Sequence, residues 1–205
     1  HKEYANTIVL ALQDIDKEIL LKLNELIHVD KPLTFLKSKK PNTRDSYVLT
    51  ISNKHISNVL KKYGLMQNKS LILTFPEWLN PELYHHFIRG YFDGDGSIAI
   101  GATGKYGQTC QVNMVGTRNF LTRVQDIMMA NIELSKTKII TRGNIAALYY
   151  NGRFNCLKIK YYLYKDSTIY LIRKFDKFNT IPIQETKIRS KKGCSLRYDE
   201  YILNR

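Results

Sequence analysis

The sequence predicts an α+β protein built from two similar halves. An apolar-rich run typical of a β-strand covers residues 4–12, and apolar side chains at helical spacing predict an amphipathic helix over residues 14–28. A hairpin and a second helix follow. The same order of strand, helix, hairpin and helix then occurs again, and the predicted helix N-caps, Asp14 and Thr117, lie 103 positions apart. Two copies indicate a duplicated unit, not a solenoid.

Alternating apolar and polar residues, together with turn residues, predict the elements of the first half. Strands over residues 33–37 and 46–52 flank a polar loop that contains Pro41 and Asn42. Gly64 is a natural residue to end the helix that follows. The apolar stripe of this helix consists of Ile56, Val59, Leu60 and Tyr63.

The second half repeats these signals. Strands are predicted over residues 109–115, 137–141 and 146–151, with a turn at Arg142-Gly143-Asn144. A helix begins after Thr117, and a weaker pattern favours another helix over residues 153–165.

The charge balance points to a polyanionic partner. The 205 residues contain 32 Lys and Arg against 18 Asp and Glu, a net charge of +14, with 43% hydrophobic residues. A globular chain this basic most often binds nucleic acid, although an ordinary basic protein is the alternative. No apolar run approaches the roughly 20 residues needed to span a bilayer, and no secretory signal opens the chain. Three scattered cysteines fit a reducing compartment. We therefore expect an intracellular protein without a membrane partner.

A third predicted helix precedes the second half. It starts at Asn80-Pro81 and ends in Asp93-Gly94-Asp95-Gly96, and the equivalent position in the first half falls before residue 1. Gly90 and Gly94 share one face of this helix, so they suit a tight helix–helix contact. A helix packed on its own sheet, or one that simply ends at Gly94, is the alternative.

Two carboxylates lie where a helix dipole disfavours them. Asp93 and Asp95 sit at the predicted C-terminal end, at a cost of about 0.3–1 kcal/mol each. A bound cation would explain such an acid, whereas Asp93 could also bond locally. An EF-hand is excluded because its sixth and twelfth positions, counted from Asp93, are Ile98 and Gly104.

At this point the sequence resembles a known family. The nine residues from Ile88 to Gly96 resemble the motif of the LAGLIDADG homing endonucleases, with Gly90, Asp93, Asp95 and Gly96 matching outright. Flanking segments resemble the family too: residues 63–70 with Phe75-Pro76, and residues 162–164 with 171–174. The resemblance covers about residues 4–179.

The resemblance implies a fold and an activity. Each half would be an αββαββα unit, the two motif helices would pack at a pseudo-twofold axis through Gly90 and Gly94, and two antiparallel sheets would form a saddle over double-stranded DNA. Such a protein is a site-specific endonuclease of the homing type, associated with intron or intein mobility. The metal-site candidates are Asp95 and Gly94, with Mg²⁺ as the implied cofactor. The implied basic catalytic residues are Lys69 and Lys174, for which a solvated surface lysine is the alternative.

DNA contacts are expected from the strands and hairpins, where alternate residues face one side. Any single candidate contacts a phosphate more often than a base. The candidates are Lys37, Lys39, Lys40, Arg44, Lys105, Gln108, Gln111, Asn113, Lys136, Lys138 and Arg142.

The chain departs from the family in lacking a first motif helix. We expect a first half at 1–79 without that helix, a second half at 80–179 with it, and a basic tail at 180–205. Three explanations compete: a fragment of a longer enzyme, a second polypeptide that donates the helix, or the loss of symmetrical cleavage. We favour a fragment or a split enzyme. A non-catalytic DNA-binding regulator or an intron RNA maturase of the same fold is the alternative function.

Overall fold

The computed structural model describes residues 6–29, 31–64, 72–104, 107–181, 188–189 and 195–196. The first half contains strand β1 (Thr7–Gln13), helix α1 (Lys17–Leu26), strands β2 (Thr34–Leu36) and β3 (Ser46–Ser52), and helix α2 (Lys54–Lys62). Its antiparallel sheet has the order β1-β3-β2.

The second half contains helix α3 (Tyr84–Asp95), strands β4 (Ser97–Gly104) and β5 (Gly107–Gly116), helix α4 (Arg118–Ile132), strands β6 (Ile140–Arg142) and β7 (Ile145–Asn151), and helices α5 (Arg153–Tyr164) and α6 (Ile172–Asn179). Its antiparallel sheet has the order β4-β5-β7-β6. Two short strands, β8 (Ile188–Arg189) and β9 (Ser195–Leu196), pair with each other in the tail. The predicted α+β class with two antiparallel sheets is confirmed.

The hydrophobic core lies mainly in the second half. Its helices cover one face of the sheet and bury Phe92, Phe120, Met114 and Leu148 completely or almost completely. The separate core of the first half is small, because Leu20, Leu49 and Ile51 are its buried members among the described residues. Burial of apolar area is the main stabilising term in folding, so the first half depends more on its neighbours.

Most local signals act as predicted. The Thr117 hydroxyl accepts from the Phe120 amide at 3.1 Å and begins α4, and Gly64 ends α2 with φ +84°. Asn80 accepts from the Glu82 amide at 3.1 Å. The prediction that Asp14 is an N-cap is wrong, since residues 14–16 form a 3₁₀ turn in which neither Asp14 nor Asp16 makes a side-chain cap.

Candidate DNA and metal site

The carboxylate of Asp95 lies exposed at the C-terminal end of α3. The face of the same helix that carries Gly90 and Gly94 is also open, because a Cβ added at either glycine would meet no atom within 4 Å. The alternative that these glycines let α3 pack on its own sheet is therefore wrong. The helix–helix contact predicted for them is not made by the described part of the chain.

A groove of about 730 Å³ runs along this glycine face. One wall is formed by Gly90, Gly94 and Asp95 of α3. Leu10, which belongs to the first half, lines the same groove. The remaining walls are largely apolar and include Leu73, Phe87, Val115 and Ile145. Asp95 thus stands at a cleft between the two halves of the chain.

Lys174 caps the C-terminal end of α3. It is buried, and its Nζ donates to the carbonyl oxygens of Phe92 and Asp93 at 2.7 Å and of Gly96 at 2.6 Å. A cation here satisfies the carbonyls of Asp93 and Gly96 and adds a donor to that of Phe92, which also accepts from the Gly96 amide at 2.8 Å. It also offsets the negative end of the helix dipole. Burial, with a smaller contribution from Arg173, lowers the pKa of Lys174 to about 8.

This geometry changes the role expected of Lys174. An ammonium group has three N–H donors, and all three are used on the last turn of α3 and on Gly96, which follows it. The alternative of a solvated surface lysine is wrong, because only 6% of the residue is exposed. A direct contact with a phosphate would need Lys174 to release one of these carbonyls. We therefore assign it to positioning the segment that carries Asp95.

Asp93 is bonded within the fold, but its partners are distant in sequence, so the local bond suggested for it is wrong. Its buried carboxylate accepts from the Tyr164 hydroxyl at 3.0 Å and from the Leu171 amide at 3.0 Å. Burial raises the pKa of Asp93, and the bonds from Leu171 and Tyr164 oppose that shift. Asp93 thereby ties α3 to the end of α5 and to the start of α6, so the two acids of the motif have different surroundings.

Helix α6 also reaches the first half of the chain. The Nε of Arg173 lies 2.9 Å from both carboxylate oxygens of Asp16, whose side chain is only 3% exposed. The neighbouring residue is Lys174, so one short helix contacts both the end of α3 and the start of α1. This arrangement links the position of the first half to that of Asp95.

The two histidines of α3 have structural contacts. His85 is buried beside Tyr162, and burial, followed by the charge of His86, lowers its pKa to about 4. His86 Nδ1 lies 2.6 Å from Arg89, whose guanidinium donates to the Leu163 carbonyl. Neither ring lies at the end of the helix where Asp95 is found.

Polar side chains cover the outer face of the second sheet. In β5 the buried residues Cys110, Val112 and Met114 alternate with Gln111 and Asn113, which therefore face away from the core. The register places Asn151 opposite Gln111 and Tyr149 opposite Asn113. Sequence reasoning missed Tyr149 and Asn151, although the alternation in β7, with Leu148 and Tyr150 buried, is a signal that could have found them.

This outer face offers amide groups for hydrogen bonding. Gln111 donates to Asn151 at 2.7 Å in an exposed position, whereas Asn113 Oδ1 is buried and has no partner in the part of the molecule that is described. Amides of this kind can pair with base edges in the major groove.

Six of the basic candidates lie in loops of the two halves. Lys37, Lys39, Lys40 and Arg44 are exposed around the connection between β2 and β3, and Lys136 and Lys138 are exposed before β6. Arg44 lies 4.0 Å from Asp14, both exposed. Lys69 and Lys105 lie outside the described residues, as do the side chains of Gln108 and Arg142.

The donor set around Asp95 suits a hard cation only in part. A carboxylate oxygen is a ligand that Mg²⁺ prefers, and Mg²⁺ usually keeps several waters and few protein ligands. However, the described residues contain no group of three or more His, Cys, Asp or Glu that could hold a metal ion. Asp95 could therefore supply one ligand, with the others coming from water, substrate or a partner.

No helix in the described ranges is long and apolar enough to cross a membrane.

Comparison with known structures identifies the fold. The chain superposes on LAGLIDADG homing endonuclease I-GzeII in complex with its DNA target (TM-score 0.53, 10% identity, 84% of this chain and 77% of that chain). It also superposes on meganuclease I-SmaMI bound to uncleavable DNA (TM-score 0.52, 13% identity, 94% and 87%).

This is the LAGLIDADG endonuclease fold. Full-length DUF199/WhiA from Thermatoga maritima matches as well (TM-score 0.53, 17% identity, 92% of this chain). The chain spans 56% of that protein and 63% of homing endonuclease I-CvuI. No model of a protein family and no curated sequence matches the chain. Because identities are this low, the likeness establishes the fold, and function has to be argued from the site.

Proposed function

We propose that this chain is a site-specific endonuclease of the homing type that binds double-stranded DNA across its two LAGLIDADG sheets. The observation that carries the proposal is the Asp95 carboxylate, exposed at a cleft between the halves while buried Asp93 and Lys174 fix the helix end that bears it.

The charge and the outer face of the second sheet support a DNA partner. A net charge of +14 supplies the sequence-independent attraction to phosphates. The amides of Gln111, Asn113 and Asn151 supply donors and acceptors for base edges. Exposed lysines in the loops before β3 and β6 would contact the backbone on either side.

In the proposed reaction, Asp95 provides a negative oxygen at the scissile phosphate. A divalent cation such as Mg²⁺, when bound there, would neutralise phosphate charge and activate a water molecule. Lys174 and Asp93 act on the protein alone, because they hold the backbone of residues 92–96 in one position. Catalytic groups held to within a fraction of an ångström lose less rate to misalignment. Lys69 remains a candidate for a second charged group.

One exposed motif acid would serve the cleavage of only one DNA strand. The described chain presents a single exposed motif acid, Asp95, so we expect it to nick DNA by itself and to require a second such acid for a double-strand break. A non-catalytic DNA-binding protein of the same fold is the second candidate. The absence of any group of three metal-ligating residues from the described ranges favours this second candidate.

The two candidates are separated by an experiment in two steps. First, a bound DNA site is selected from a random duplex library with the full chain at a stated salt concentration. Second, a supercoiled plasmid carrying that site is incubated with the chain and Mg²⁺, and nicked product is measured. The variants are Asp95→Asn and, as a matched control, Asp126→Asn, which alters an exposed acid on α4.

The endonuclease proposal expects nicking by the wild type and by Asp126→Asn, with loss in Asp95→Asn and unchanged DNA affinity. Selective binding without any nicking would favour the non-catalytic candidate. Failure to select a DNA site would contradict both.

A further inference from the structure

We infer that the two sheets read different chemistry in DNA: the outer face of the first sheet contacts the methyl groups of thymine, whereas the amides of the second sheet contact hydrogen-bonding base edges. The inference rests on the DNA-binding part of the proposed function and gives it a substrate preference. The specificity-determining side chains that it adds are Val9, Ala11 and Leu36.

The strand register sorts the side chains of the first sheet into two faces. In β3, Leu49 and Ile51 are buried in the core of the first half, so the residues that alternate with them lie on the opposite, outer face. Residues that pair across antiparallel strands share a face, which extends this assignment to β1 and β2. The outer face includes Val9, Ala11, Thr34, Leu36, Val48 and Thr50.

Each of these six side chains carries a methyl group, and most of them are open to solvent. The exposed fraction is 58% for Val9 and 50% for Leu36, and Ala11 and Thr34 are exposed as well. Val48, in the central strand between them, is 8% exposed and is not part of the core of the first half. The water-facing side of an antiparallel sheet is normally polar, so a face of this composition indicates a binding surface.

The outer face of the second sheet has different chemistry. Its strands β5 and β7 carry the paired amides of Gln111 and Asn151. Exposed apolar residues occur there too, but Ile140 lies in the edge strand β6 and Ile145 lines the groove along Gly90 and Gly94. Amides pair with donors and acceptors on base edges, whereas the methyl groups of Ala or Thr contact the C5-methyl group that thymine presents in the major groove. The first sheet therefore complements thymine.

The charges beside this face match a DNA duplex better than an apolar protein partner. Lys37 directly follows Leu36, and Lys39, Lys40 and Arg44 are exposed in the same connection between β2 and β3. Cations at that border suit the phosphates on either side of a major groove, which is about 12 Å wide and admits β-strands. The occupant that fits both the apolar face and its basic border is a thymine-containing duplex.

The test measures binding of the full chain, without Mg²⁺, to a duplex site selected from a random library. Gln111→Ala should relax the preference in one half of the site and so identifies the half that the second sheet reads. Thymines are then replaced by uracils, which lack only the C5-methyl group, in one half at a time. We expect each contacted methyl in the other half, read by the first sheet, to contribute about three- to fivefold in affinity, and uracils in the half read by the second sheet to change affinity by less than about twofold.

Two variants, Leu36→Asn and Val9→Asn, remove apolar groups from the outer face. The matched control is Phe35→Ala, because Phe35 is also half exposed but pairs with Tyr47 on the core face of the same sheet. We expect the two outer-face variants to lose part or all of the dependence on thymine methyls and the control to keep it, with circular dichroism showing that all three fold.

The outcomes separate this inference from the function on which it rests. Normal DNA binding with no thymine in the half read by the first sheet, no effect of uracil there, or an undiminished uracil effect in both outer-face variants would overturn the inference and leave the proposed function intact. Absence of binding to any duplex would overturn the proposed function and the inference with it.

Discussion

The Nζ of Lys174 lies 2.6 Å from the carbonyl oxygen of Gly96, the residue that follows Asp95 in the chain. A lysine from α6 thus holds the backbone beside an exposed acid of α3, across 78 positions of sequence. The same ammonium group holds the carbonyls of Phe92 and Asp93. Loss of this cap should therefore affect both stability and the placement of Asp95.

Replacing Lys174 with methionine should destabilise the chain by about 2–4 kcal/mol. The carbonyls of Asp93 and Gly96 would lose the Lys174 donor, whereas that of Phe92 would keep the Gly96 amide at 2.8 Å. Buried groups without partners cost about 1–3 kcal/mol each before relaxation. Urea unfolding monitored by circular dichroism measures the change. Lys177→Met, at an exposed site of the same helix, should change the free energy of unfolding by less than about 0.5 kcal/mol. Equal effects of the two substitutions would contradict the capping role of Lys174.

His85 should make the protein less stable in acid. Its pKa is about 4 in the folded chain and near 6.5 when exposed, so the unfolded state binds the extra proton first. Its stabilising contribution is therefore complete above pH 6.5 and is lost as the pH falls through 4, by about 3 kcal/mol in all. Stability measured at intervals between pH 7 and 4 tests this.

The control for that experiment is His85→Phe, which keeps an aromatic ring beside Tyr162 and cannot titrate. Its stability should fall less steeply over the same range, whereas His55→Gln, at an exposed site, should follow the wild type. If the stability of His85→Phe fell with decreasing pH as steeply as that of the wild type, other groups, such as neighbouring His86, would cause the acid sensitivity.

The ion pair between Arg173 and Asp16 should couple the two halves. Asp16 is buried and Arg173 is about half exposed, so we expect a coupling energy of about 1–2 kcal/mol from a double-mutant cycle with Arg173→Ala and Asp16→Ala. Arg173→Ala alone should cost more than the coupling energy because it leaves a buried carboxylate unpaired. Additive effects of the two substitutions would show that the pair contributes nothing to the contact.

Gln111 and Lys136 should affect DNA binding in different ways. Gln111→Ala should relax sequence preference at one or two base pairs, with a cost of about 1–3 kcal/mol on the preferred site. Lys136→Ala should weaken binding to all sequences and lower the salt dependence by about one phosphate contact. Binding titrations on the selected site and its single-base variants, at several salt concentrations, distinguish the two outcomes.

The sequence predicted most elements because their signals are local. Thr117, Gly64 and the alternation of β3 act through neighbours within a few residues, and each lies where it was predicted. Strand β4 was missed. Its glycines at Gly101 and Gly104 weaken the β pattern, and a neighbouring strand supplies the pairing that stabilises it.

The site was predictable only in part, for a related reason. The motif indicated Asp95, Gly90 and Gly94 as candidates, but it predicted a helix–helix contact for the two glycines that the described residues do not make. The burial of Lys174 was not visible, because it sits in a basic run with Arg173 and Lys177 that is typical of a solvated surface. Its partners are carbonyls 78 to 82 positions away, which only the packing of α6 against α3 brings into reach.

The central claim is that Asp95 is a catalytic carboxylate held at the cleft. It is tested most directly by the initial rate of nicking of a supercoiled plasmid that carries the selected site, in the presence of Mg²⁺. We expect Asp95→Asn to lower that rate by at least about 100-fold, a loss of about 2.7 kcal/mol of transition-state stabilisation, while its DNA affinity remains within about twofold of wild type. Nicking by Asp95→Asn at the wild-type rate would contradict the account.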